Sequence, residues 1–127
     1  MPHLFVSVSG HGFGHLAQIS PLINALADRH PELRISLQSD LPDEFVARRL
    51  RRVDERYREI ADTGMVMNSA LDVDVSASLA AYQQLDRESE THLARQVTLL
   101  QQAAPDLLIA DIPYLPLRAA QTLGIPN

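Results

Sequence analysis

Cysteine, lysine and tryptophan are all absent from this chain of 127 residues, and every one of its 11 basic residues is arginine. Without thiols there is no disulfide and no thiolate metal site. An excess of positive charge is also missing. Sixteen acidic residues outnumber the 11 arginines, for a formal net charge of −5. Proteins that hold nucleic acid through its phosphates are usually basic, so no nucleic-acid partner is expected. No apolar run approaches the roughly 18 residues that cross a bilayer. The opening MPHLFVSV has no positively charged start and no long apolar stretch, so it reads as a first strand rather than a signal peptide. The expected location is the cytoplasm.

What is present suffices for one domain with a core, since 46% of the residues are hydrophobic. Leu4–Ser9 is a short apolar run with β-branched members that stops at glycine, as a buried strand does. Leu16, Ile19, Ile23, Leu26 and Ala27 recur at steps of three and four, which predicts an amphipathic helix from His15 to about Arg29. Pro21 is tolerable there if it lies in the first turns. Leu33–Gln38 alternates like a second strand. Ser39–Pro42 is a turn, and Asp43 to about Val53 a short charged helix. Tyr57–Ile60 reads as a third strand and Gly64–Asp74 as a loop. Ser76 to about Ala103 reads as one long helix, with Leu79, Tyr82 and Leu85 in the core. Asp106–Ile112 is a buried strand, Pro116–Leu123 a helix closed by Gly124, and Ile125–Asn127 the start of another strand. Such alternation implies an α/β fold, a Rossmann-like, doubly wound parallel sheet covered on both faces.

The loop Gly10-His11-Gly12-Phe13-Gly14-His15 joins the first strand to the first helix. Ligands of open α/β sheets bind beyond the carboxyl ends of strands. A helix start there offers unpaired N–H groups and a positive dipole end. Glycines let a ligand approach the backbone. Gly10, His11, Gly12, Phe13 and Gly14 are therefore expected to contact a ligand, and the loop suits a phosphate or a developing oxyanion. The spacing is not the G-x-G-x-x-G of dinucleotide sites, though an NAD-binding oxidoreductase domain remains an alternative. No P-loop is present. His11 and His15 lack a nearby third ligand in sequence, so no metal is expected. Ser39 and Asp40, after the second strand, are placed to line the cleft. Arg48, Arg49, Arg51 and Arg52 stand among Asp43, Glu44, Asp54 and Glu55 and read as a solvated face; the alternative is contact with anionic lipid.

Ser9-Gly10-His11-Gly12-Phe13-Gly14-His15-Leu16-Ala17 resembles the start of GT-B glycosyltransferases that carry a Gly-His loop after strand one. These include the family 28 enzymes acting on the lipid-linked peptidoglycan precursor and the UDP-sugar transferases. The loop is also similar to the G-H-G-F-G-H-A stretch in the glycosyltransferase-like N-terminal part of L-arabinokinases, with Gln18 where that pattern has arginine. Pro105–Asp111, Arg118–Ala120 and Leu123–Pro126 resemble a later strand, helix and strand entry of the same domains.

The resemblance implies an N-terminal, acceptor-side Rossmann-like domain over residues 1–127, truncated, with a donor domain outside this chain. It implies a nucleotide-sugar donor as substrate, with no further cofactor, and an acceptor of unknown identity; a lipid-linked acceptor would bring peripheral membrane contact. It also implies that His15 is the general base and that Asp111 orients it. A non-catalytic module binding a phosphorylated sugar or nucleotide is the other alternative. An imidazole titrates near 6.5, close to working pH, and a carboxylate on one ring nitrogen sets the tautomer. His3, His30 and His92 are expected to be structural or surface residues.

Overall fold

The first strand, β1 (His3–Val8), is buried along its whole length. Successive side chains of a strand point to opposite faces, and both faces of β1 are covered in the computed structural model, which describes all 127 residues. Leu4, Val6 and Val8 pack with Leu16, Ile19 and Ile23 of helix α1 (Gly14–Arg29). Phe5 points the other way. It packs with Leu99, Leu100 and Ala103 of helix α4 (Ser89–Ala103) and Ala119 and Ala120 of helix α5 (Leu115–Leu123). Each fully buried leucine, isoleucine or phenylalanine contributes about 1.5–3 kcal/mol of burial, so β1 is where the two halves of the core meet.

Strands β2 (Arg34–Gln38), β3 (Glu55–Tyr57) and β6 (Leu107–Asp111) complete a parallel sheet in the order β3-β2-β1-β6. His3 stands beside Arg34 on one side of β1, and Val8 beside Asp111 on the other. Helix α2 (Asp43–Arg49) shares the α1 face through Val46. The fold is the α/β doubly wound sheet that the alternation predicts. Across it, the buried amides of Gln38 on β2 and Gln96 on α4 exchange hydrogen bonds of 2.8 and 2.9 Å. No helix is long and apolar enough to cross a membrane.

Several elements depart from the sequence reading. Helix α1 begins at Gly14, so Pro21 lies in its interior rather than its first turns. Proline has no N–H for the carbonyl of Ala17, and the hydroxyl of Ser20 donates to that oxygen at 3.2 Å. The third strand is Glu55–Tyr57, earlier than Tyr57–Ile60. The stretch read as a loop contains an antiparallel hairpin, β4 (Met67–Ser69) with β5 (Asp72–Val73). The long helix is two, α3 (Val75–Arg87) and α4, which meet at Glu88. Leu79 and Tyr82 are exposed on α3 and Leu85 is only half-buried, so none of the three is core. The chain past Gly124 is not a strand, but Pro126 accepts a backbone hydrogen bond from Leu108 at 2.9 Å.

The arginines are mostly paired. Arg48 meets Glu44, Arg51 meets Asp28, and Arg58 meets Asp43, all at exposed positions worth little to stability. The guanidinium of Arg49 stands 5.6 Å from the ring centroid of Phe45.

Candidate functional site

From β1 the chain steps outward through β2 to β3, then returns to the opposite side of β1 as β6. The two strands where the direction reverses are β1 and β6. Helix α1 leaves the carboxyl end of one, and Asp111 ends the other. Crossing connections diverge at such a point and leave a crevice, the usual ligand position in open α/β sheets.

His15 is the second residue of α1. Its Nδ1 lies 3.1 Å from Oδ1 of Asp111, 96 residues away in sequence. The backbone holds the same junction together, since the N–H of Ser9 donates to the carbonyl of Asp111 at 3.1 Å. The side chains are 31% and 22% exposed, so the pair is sheltered yet reachable. An ionised carboxylate only accepts hydrogen bonds. Its contact therefore places the proton on Nδ1 and leaves the lone pair of Nε2 free to take a proton from a ligand.

The residue after Asp111 is strained. Ile112 has φ +84°, a left-handed conformation that a β-branched side chain rarely adopts. The chain turns there and passes into the buried Pro113 and helix α5. Strain of this kind persists where the surroundings impose it, commonly at functional sites.

The glycine loop divides its side chains between two sides. Gly12 has φ +78°, which explains glycine at that position. Phe13, exposed, precedes α1 and packs against Phe45 with 4.5 Å between ring centroids and the rings tilted by 41°. No side chain caps the start of α1, so the first amides, from Gly14 on, keep their N–H groups for other partners. His11 does not reach Asp111. Its ring lies against the Cα of Gly64, where any added Cβ would overlap it, and the carboxylate of Asp40 likewise occupies the place of a Cβ on Gly10. Gly10, His11 and Asp40 line a polar cavity of about 240 Å³ with Ile60, Asp62, Thr63 and Gly64.

Of the two residues expected after β2, only Asp40 faces this cavity. Ser39 is buried, and its Oγ accepts the N–H of Leu41 at 3.2 Å while its carbonyl accepts from Arg56. It shapes the turn rather than the cleft, because a buried hydroxyl needs a local partner. Asp62, Thr63 and Gly64 were not singled out by the sequence reading. Their only local signal is turn-type composition, which does not say what the turn faces. No group of three or more His, Asp or Glu side chains is arranged to hold a metal ion.

His3 and His92 are away from this junction. His3 is buried, with Nε2 2.7 Å from Oγ of Ser36. Burial first, and then the positive charge of Arg34, hold its pKa below the ordinary imidazole value.

No protein-family model matches the chain, and no curated protein matches it by sequence. Its fold does match solved structures. UGT2 of Phytolacca americana, complexed with UDP-2-fluoro-glucose and pterostilbene, aligns over 99% of this chain with TM-score 0.59 and 21% identity. A UGT transferase of Siraitia grosvenorii in complex with UDP aligns over 98% with TM-score 0.54 and 17% identity. MurG of Acinetobacter baumannii aligns over 99% with TM-score 0.52 and 18% identity. The chain spans 29%, 26% and 34% of those three proteins. It therefore has the Rossmann-like fold of one part of GT-B glycosyltransferases.

Proposed function

We propose that this chain is the N-terminal, acceptor-side domain of a nucleotide-sugar-dependent glycosyltransferase, and that His15 is its general base. The observation that carries the reading is the His15–Asp111 contact at the sheet's switch point. Nε2 of His15 takes the proton of an acceptor hydroxyl as the oxygen attacks the anomeric carbon. The bond from that carbon to the nucleoside diphosphate breaks, and the diphosphate leaves with the electron pair. Asp111 keeps the imidazole in the right tautomer and stabilises the imidazolium once the proton arrives. The nucleotide sugar is a substrate in this scheme, and no metal or further cofactor takes part. The donor is held chiefly by a second domain outside this chain, while the uncapped amides at the start of α1 assist an anionic group. The proposed setting is the cytoplasm, where a lipid-linked acceptor would bring the protein to a membrane surface.

The test is transfer kinetics in the complete polypeptide that carries this chain. His15→Ala is expected to lower turnover about 10²-fold or more. Asp111→Asn should lower kcat with little change in acceptor KM, because it acts on the base and not on the substrate. Unchanged turnover in His15→Ala would remove the base from the scheme and leave a binding module. Tight binding of NAD(H) with no sugar transfer would instead favour the oxidoreductase alternative.

A further inference from the structure

Four polar side chains converge on the cavity beside the glycine loop: His11, Asp40, Asp62 and Thr63. None of them makes a hydrogen bond or ion pair through its side chain, whereas Asp43 and Glu55 are engaged by arginine. Oδ2 of Asp62 is buried and accepts nothing. A buried acceptor without a donor is costly, and a small rotation about Cβ–Cγ that brings it to an incoming O–H would recover that cost. The room for this arrangement comes from two glycines. A Cβ on Gly64 would displace the His11 ring, and one on Gly10 would displace the Asp40 carboxylate.

We infer that this cavity is a recognition site for an uncharged polyol, the sugar-like portion of the acceptor. This rests on the glycosyltransferase reading and gives it a substrate class. Two carboxylates repel phosphate and carboxylate groups at short range. They accept readily from adjacent hydroxyls, which offer two donors at the spacing of the two carboxylate oxygens. Thr63 supplies a hydroxyl and His11 a ring nitrogen for the oxygens of the same ligand. Ile60, on the cavity rim, offers an apolar contact to the C–H face of a pyranose ring. A flat aromatic acceptor would leave all four polar groups without partners. His11 and His15 then have different tasks, because the loop turns one toward this cavity and the other toward Asp111.

The test is a titration of the 15N-labelled 127-residue chain, followed by amide shifts, with methyl α-D-glucopyranoside, methyl α-D-mannopyranoside, methyl β-D-galactopyranoside and myo-inositol. At least one should give saturable shifts at His11, Thr63 and Gly64. Asp62→Asn, which keeps the shape, should weaken that binding about tenfold, and Thr63→Val should weaken it less. Thr122→Ala, on the exposed face of α5 and outside this cavity, should leave it within about twofold. Absence of saturable shifts with all four probes overturns the inference, as does equal affinity in Asp62→Asn or tighter binding of inorganic phosphate at the same amides. If sugars bind here while His15→Ala does not slow transfer, the proposed base fails and the polyol site stands. If transfer depends on His15 but no polyol binds, the reverse holds.

Discussion

At the scale of single residues, the junction of β1 and β6 turns on Asp111 and the strained residue behind it. Ile112 is 62% exposed, so its side chain contributes little packing, yet its backbone is held at φ +84°. Such a conformation costs about 1–3 kcal/mol for a non-glycine residue. Ile112→Gly removes that cost and adds back up to about 1 kcal/mol of chain entropy. The variant should therefore be more stable by about 1 kcal/mol in urea denaturation. A loss of similar size would mean that strain is not what this position contributes. The sequence offered two histidines in one loop, with the resemblance implying His15 as the base and His11 as a ligand contact. The fold gives them different neighbours, since His11 lies on Gly64 and His15 meets Asp111.

At the scale of elements, α3 is the outlier. The sequence reads as one helix from Ser76 to about Ala103, although no apolar residue stands between Leu85 and Leu93. Helix α4 buries Gln96, Leu99, Leu100 and Ala103 against the sheet, while α3 buries only Ser78. Its attachments are local. The Ser78 hydroxyl accepts from the N–H of Val66 at 2.8 Å, and Asp74 caps the helix by accepting from Ala77 at 2.8 Å. Asp74→Ala should cost about 1 kcal/mol, the usual value of an N-cap. Because α3 has few other ties, hydrogen exchange should speed up in α3 and the hairpin and remain slow in α4. Equal acceleration in both helices would show that they open as one unit.

At the scale of the whole molecule, stability depends on pH through the buried edge of β1. The folded pKa of His3 lies below its ordinary 6.5, so the folded state keeps the ring neutral where the unfolded chain begins to protonate it. Where the unfolded state binds more protons, stability rises with pH. The contribution is therefore complete above 6.5 and is lost as pH falls from there through the folded value. The urea midpoint should drop between about pH 7.5 and about pH 5, and His3→Gln should flatten that dependence. Glu55 acts further down. Its pKa is lowered first by the Tyr57 hydroxyl and then by Arg34, so its share is lost only on the acid side of the carboxylate range. A His3→Gln variant with an unchanged slope would place the dependence elsewhere.

The alternation of short apolar runs with periodic segments was enough to specify a doubly wound sheet, because a strand buried on both faces leaves an apolar run and a helix packed on one face leaves a three-to-four spacing, both visible locally. The glycines of the first βα loop were legible for the same reason: a tight turn restricts residue type locally. Strand order is another matter. Nothing between residues 15 and 111 says that β6 pairs with β1, and that pairing alone brings Asp111 to His15. The cavity of Asp62 and Thr63 and the exposure of α3 were likewise decided by long-range packing, which sets neighbours without marking the residues that become neighbours.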